Sequence, residues 1–182
     1  MKNAIEERLN VLLGQRWCAI GRVADLVCLE FGQRRRVRDY RGKWRTVGEW
    51  ALHLQCSWRI GGPQGLIVAS DDRYWPAGDP DDPPKKWKWD TGPNRFDERV
   101  KRLLPQTAEG FGIVQKVRAD RFGGLQIVLT NSLIIQVFPS DTLDREYDEH
   151  WRFFQPKRKS KHFVVTNRGV TNGKRDGDSE GD

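Results

Sequence analysis

Three kinds of chemistry are poorly provided for in this chain. Cysteine is limited to Cys18, Cys28 and Cys56, an odd number with no paired short spacing, which excludes a disulfide framework and a zinc clip of the CxxC type. Each lies in an apolar, strand-like context and reads as a reduced thiol acting as a small hydrophobe. His53 and Cys56 come nearest to a ligand pair, but their odd spacing sends them to opposite faces of a strand. Histidine is limited to His53, His150 and His162. No glycine loop that would cradle phosphate and no nucleophile elbow is present. The aspartates between 71 and 82 lack the calcium-loop spacing, and Asp25, Glu30, Asp71 and Asp72 lack the nearby lysine of a metal-dependent nuclease. Neither a catalytic residue, a metal nor a cofactor is therefore expected. Long apolar runs are missing as well: none approaches the roughly 20 residues that cross a bilayer, and no leader pattern opens the chain. A cytoplasmic protein without a membrane partner is the expectation.

Aromatic and basic residues are what the chain has in quantity. Its 182 residues carry eight Trp and eight Phe, and 32 basic against 25 acidic side chains leave a net charge of +7. The length suits one domain, with a core carried by a few large residues. The charge permits an acidic partner, nucleic acid included.

The sharpest pattern lies at 44–60, WRTVGEWALHLQCSWRI. Trp44, Trp50, Leu52, Leu54, Cys56, Trp58 and Ile60 share one parity; Arg45, Glu49, His53, Gln55, Ser57 and Arg59 share the other. A period of two predicts strand, one face in an aromatic core and the other polar. Seventeen residues exceed a normal strand, so Gly48 is expected to bend it or mark a turn.

Around this stretch the spacing predicts an α+β fold, mainly antiparallel sheet in meanders, with an N-terminal helix over 3–13 capped by Asn3 and a second helix near 94–104 capped by Asn94. Residues 17–31 read as two strands around a break at 21–24, and Leu66 to Ala69 as another. Residues 112–140 read as three strands, the last two joined by a two-residue Asn131-Ser132 turn. That turn pairs Leu129 with Ile134, Leu125 with Phe138 and Val128 with Ile135, leaving apolar residues on both faces. Between 71 and 93, five prolines and six aspartates with Trp75, Trp87 and Trp89 predict a long loop partly pinned to the body. Short strands are expected at 151–154 and 162–166. One domain over 1–166 and a disordered tail over 167–182 follow.

Two functional surfaces emerge. Arg22, Asp25, His53, Gln55 and Arg59 are candidates for contact with another protein; Arg22 and Asp25, close in sequence, could equally pair with each other, and the remaining three could simply face water. The basic run Arg34, Arg35, Arg36, Arg38, Arg41, Lys43 and Arg45, flanked by Tyr40 and Trp44, and the second run Lys157, Arg158, Lys159 and Lys161, are candidates for nucleic-acid contact, or are solvated faces. No helix-turn-helix or RNA-binding sheet signature accompanies them.

The phrases GRVADLVCLEFG at 21–32, GEWALHLQCSWRI at 48–60, NRFDERV at 94–100 and EHWRFF at 149–154 resemble those of a widespread family of small bacterial proteins with no assigned activity. The resemblance covers roughly 10–155 and implies a bacterial cytosolic protein with a single mixed α/β domain. The closing FPSDT and EHWRFF are similar in style to immunity proteins that neutralise toxins in bacterial conflict and antiphage defence. The positive charge departs from the acidic balance such proteins have against basic nucleases. The Trp and Arg residues expected at the surface, the long proline loop and the absence of catalytic machinery lead to a non-catalytic protein-binding module, an immunity factor or accessory subunit whose partner is encoded nearby, with nucleic-acid binding as the alternative.

Overall fold

The structure is a computed structural model that describes residues 1–39, 41–79, 81–82, 84–103, 111–142, 148–156 and 160–173. Strands hold 45% of the described residues and helices 16%, so antiparallel sheet dominates and the helices are accessories. In chain order the elements are α1 (Lys2–Leu9), β1 (Trp17–Val23), β2 (Leu26–Phe31), β3 (Arg35–Arg38), β4 (Trp44–Val47), β5 (Trp50–Leu54), β6 (Ser57–Gly62), β7 (Gly65–Ala69), α2 (Arg95–Leu103), β8 (Val114–Ala119), β9 (Leu125–Leu129), β10 (Ile134–Phe138), β11 (Trp151–Phe154), β12 (His162–Thr166) and β13 (Gly169–Gly173). A six-stranded sheet runs β1-β2-β5-β11-β12-β13, a five-stranded sheet runs β7-β6-β10-β9-β8, and β3 pairs with β4 alone.

The stretch 44–60 is not one bent strand but three, and each lies in a different sheet. Gly48 separates β4 from β5. A Cβ there would stand 2.9 Å from Glu30 Cβ and from the Phe31 carbonyl oxygen, so only glycine lets the chain pass so close to β2. At Gln55 and Cys56 two successive N–H groups donate to the single His150 carbonyl, at 2.9 and 3.1 Å, and the chain crosses into the second sheet. The expected parity persists across this step, with Leu52, Leu54, Cys56, Trp58 and Ile60 all buried.

One continuous apolar core draws on both sheets. Its largest fully buried members are Trp17, Trp58 and Trp151, each removing roughly 150–250 Å² from water, an upper-limit gain of about 4–6 kcal/mol apiece. Trp151 also joins the sheets directly, its Nε1–H donating to the Gly123 carbonyl at 2.8 Å. The helices guard the two edges of the five-stranded sheet. α1 lies against β8, where the edge N–H of Ala119 donates to Glu6 Oε1 at 3.0 Å, and α2 lies against β7. Both placements blunt edges that would otherwise invite strand addition.

Four local expectations change. α1 starts at Met1 without a side-chain cap, so Asn3 lies inside the helix. The break between the first strands is at Ala24 and Asp25, with Ala24 at φ 51°, because β1 continues through Gly21. The β9–β10 loop has three residues rather than two: Leu129 pairs with Leu133, and Ser132 takes φ 62°. One extra loop residue slips the register so that Ile134 faces Val128 and Gln136 faces Gln126. A slip of one exchanges the faces; Leu125, Ile127 and Leu129 go to the core, and Gln126, Val128, Ile134 and Gln136 go outward. Finally, the presumed tail begins with structure, since Gly169–Gly173 pairs with β12 as β13; residues 174–182 lie outside the described ones.

Candidate functional site

Arg22 does not meet Asp25. It projects from β1 to the start of α2, donating from Nε to Asp97 Oδ1 at 3.1 Å and from Nη2 to Asp97 Oδ2 at 2.8 Å. Its other hydrogens reach three backbone carbonyls of the proline-rich loop: Trp89 at 3.4 Å, Asp90 at 3.1 Å and Gly92 at 2.9 Å. Only a planar, five-donor fork serves a carboxylate and a run of carbonyls together. Asp97 in turn accepts the Asn94 N–H while Asn94 Oδ1 accepts that of Asp97, a reciprocal capping box at the start of α2. Burial draws the Asp97 pKa upward, but the Arg22 hydrogen bonds and the Asn94 N–H outweigh it and hold the carboxyl below its usual 3.8.

A second arginine secures the other end of the loop. Arg73 is buried, donates from Nε to the Ser70 carbonyl at 2.7 Å, and its own carbonyl accepts from the fully buried Asn94 amide at 2.9 Å. Burial lowers the Arg73 pKa, with Tyr74 and then Asp25, in the β1–β2 turn, opposing. Pro76 bridges to Asn94, and the Arg95 N–H reaches the Trp75 carbonyl at 2.9 Å. Both ends of 71–93 are therefore tied together and to β1.

This clamped loop presents aromatic rings outward. Tyr74, Trp75 and Trp89 are 45%, 52% and 40% exposed, and Tyr74 lies 5.3 Å from Trp89, centroid to centroid. Rings with fixed backbones lose little entropy on binding, the property that makes Trp and Tyr interface anchors.

The remaining partner candidates do not assemble with Arg22. His53 stands on the outer face of the six-stranded sheet, opposite Cys28 on β2 and Arg152 on β11, with its ring edge-on to Phe154 at 4.8 Å. Phe154 stacks on His162 at 4.0 Å, and Arg152 Nη1 lies 3.3 Å from His162 Nδ1. Gln55 and Arg152 both bond Glu149 Oε1. Arg59 belongs to the other sheet, donating to Gln136 Oε1 at 2.8 Å and lying over Phe138. The juxtaposition of Cys28 and His53 is not an activated thiolate pair: burial first, then Glu30, pushes the Cys28 thiol up to about 11, the reverse of what a nucleophile requires. Burial likewise raises Cys56 to about 12. Among the described residues no three His, Cys, Asp or Glu side chains are grouped to hold a metal, and no helix is long and apolar enough to cross a membrane.

Comparison with family models, with curated proteins and with solved structures finds no match.

The first basic run forms the isolated β3–β4 ladder, registered Arg35 to Val47, Arg36 to Thr46, Val37 to Arg45 and Arg38 to Trp44. The half-exposed Trp44 ring has Arg36 and Arg38 guanidinium carbons 5.0 and 4.8 Å from its centroid. Arg34, Arg36, Arg38, Arg41, Lys43 and Arg45 are exposed; Arg35 is intermediate and donates to the Glu49 carbonyl. Tyr40, Lys157, Arg158 and Lys159 fall outside the described residues, and Lys161 is exposed just before β12. Sequence reasoning missed Arg73, Asn94 as a loop anchor, and the Arg22–Asp97 bond. Only the Asn94-x-x-Asp97 spacing offered a local signal, that of a capping box.

Proposed function

We propose that this chain is a non-catalytic binding module for another protein, and that the 71–93 loop with the start of α2 is its contact surface. What carries this reading is the combination of three exposed rings, Tyr74, Trp75 and Trp89, with a backbone fixed by Arg22, Arg73 and Asn94. A preorganised aromatic surface is a favourable starting point for association, because little ordering remains to be done on binding. In the setting that the sequence resemblance implies, the partner is a bacterial protein encoded nearby, and the module acts as an immunity factor or an accessory subunit of a defence assembly.

The test is co-purification of the full chain with products of neighbouring genes, followed by a binding isotherm. Trp89→Ala and Tyr74→Ala each weaken binding at least about thirtyfold, as hot-spot truncations do, whereas His53→Ala and Arg59→Ala change it less than about threefold. Binding lost in the second pair and kept in the first would move the contact to the sheet faces. Failure to retain any neighbouring product would count against a protein partner altogether.

A further inference from the structure

The β3–β4 ladder is a continuation of the β2–β5 hairpin. Phe31 and Trp50 are the last pair of the six-stranded sheet on that side; beyond them the chain turns out at Gly32, with φ 82°, and returns at Gly48. The root is held by Gly48 N–H donating to Glu30 Oε2 at 2.9 Å and by Arg35 Nη2 donating to the Glu49 carbonyl at 3.4 Å. Residues 32–39 and 41–48 therefore form an arm whose ladder adds roughly 13 Å of strand to the body. Between 34 and 45 seven basic residues face one acid, Asp39, and that carboxylate is spent on the turn, its Oδ1 accepting the N–H groups of Arg41 and Lys43 at 2.9 Å each.

We infer that this arm is a duplex-DNA contact, independent of the protein-binding surface proposed above. The charge is of one sign, exposed and concentrated on a rigid two-stranded ribbon, and a ribbon of this width fits the major groove of B-form DNA, about 12 Å across. Trp44 serves as a positioning residue. Its ring, about half exposed, has the Arg36 and Arg38 guanidiniums of its own chain 5.0 and 4.8 Å from its centroid, so it holds two forks in place for phosphate oxygens. A ribbon of paired guanidiniums around one ring, rather than a row of stacking platforms, favours duplex over single strand, where stacking on successive aromatics dominates.

The experiment is fluorescence anisotropy on the full chain with a labelled mixed-sequence DNA duplex, the matching single strand and an RNA duplex, titrated across a range of salt. Binding is expected to be tightest to the DNA duplex and to weaken steeply with salt. Arg36→Ala with Arg38→Ala lowers affinity about 10- to 100-fold at low salt and reduces the slope of log K against log salt by about 2, near 0.9 for each phosphate contact removed. Removing the same charge from the five-stranded sheet, Lys116→Ala with Arg118→Ala, changes affinity less than about threefold. Trp44→Ala weakens binding about 3- to 10-fold without a change of charge, and Trp44→Phe restores most of it. No detectable binding at low salt, equal loss in the two double variants, tighter binding to single-stranded DNA or to the RNA duplex, or equal affinity for heparin would each overturn the assignment. An unchanged Trp44→Ala would overturn the positioning role. Because these measurements use only nucleic acid, they fail or succeed separately from co-purification with a protein.

Discussion

Residues 71–93 and 32–48 are both excursions from the two large sheets, and both expose tryptophan, yet they are made rigid by opposite means. Five prolines leave the described residues of the 71–93 loop no ladder of their own, so Arg22 from β1 donates to the Trp89, Asp90 and Gly92 carbonyls while Arg73, within the loop, holds the Ser70 carbonyl. The 32–48 arm satisfies its own backbone through four ladder pairs and needs the body only at its glycine root. A loop of the first kind stands or falls with its anchor residue. An arm of the second kind can unfold locally while the body stays folded.

Removing the anchor is the severest way to break this contrast. Arg22 is 10% exposed and Asp97 32% in their side chains, so truncation leaves a partly buried carboxylate and three carbonyls without donors. Arg22→Ala is expected to cost about 2–3 kcal/mol, below the roughly 3–5 kcal/mol for breaking a fully buried pair because solvent reaches Asp97. Amide exchange in 71–93 should rise at least tenfold while exchange in 35–47 stays unchanged. Equal protection of the loop before and after would refute its dependence on Arg22.

The arm's weak point is its root. Gly48→Ala places a methyl group 2.9 Å from Glu30 Cβ and the Phe31 carbonyl, backbone that cannot simply step aside, and overpacking of this kind costs about 1–3 kcal/mol. Chemical denaturation gives the loss, and exchange should now rise in 32–48 and at the β2–β5 junction but not in 71–93. A stability equal to wild type would mean the root has slack.

Acid separates the two regions by charge. Because the folded Asp97 pKa is depressed, the unfolded chain takes up the proton first as pH falls. The stabilisation from the Arg22–Asp97 bond is thus fully present above the ordinary carboxylate value of 3.8, declines below it, and is gone once pH passes the folded pKa. Denaturation midpoints followed from pH 6 to 2 should lose this component in Asp97→Asn, which removes the titrating group. Trp44→Ala should leave the same pH slope intact, since no carboxylate underlies the arm's cation–ring contacts.

The difference between the regions also explains what could be read without coordinates. Strand identity at 44–60 was legible because parity is a local property, and Leu52 through Ile60 kept it across a change of sheet. That change itself was not, since it depends on Gly48 meeting Glu30 and on His150 accepting two N–H groups from about 95 residues earlier in sequence. The arm's basic character was visible directly, as was the loop's irregularity from its prolines. The clamp was hidden: Arg22 finds Asp97 over 75 positions, and nearby Asp25 offered a misleading local partner. In the same way the two-residue Asn131-Ser132 turn was a sound local expectation, and the one extra loop residue shifted the β9–β10 register, so that Ile134 faces Val128 rather than Leu129.

The smallest expected effect lies at the tip of the contrast. Each guanidinium over the exposed Trp44 ring contributes about 0.5 kcal/mol, as solvent-exposed cation–ring pairs do, so Trp44→Ala should lower the stability of the ladder by about 1 kcal/mol. Global unfolding should hardly register it, because the ladder shares no core residue with either large sheet apart from its root. The amides of 36–38 and 44–46 should therefore lose protection roughly fivefold while the global midpoint is preserved. A substitution of matching size in the clamped loop, Trp87→Ala, removes the Nε1 hydrogen bond to the Pro93 carbonyl, 2.7 Å long, and should instead perturb the loop and the start of α2 together, since Pro93 leads directly into the Asn94 cap. If Trp44→Ala lowered the global midpoint as much as Trp87→Ala did, the arm would be coupled to the body in the way the loop is, and the distinction between an anchored loop and a self-supporting arm would fail.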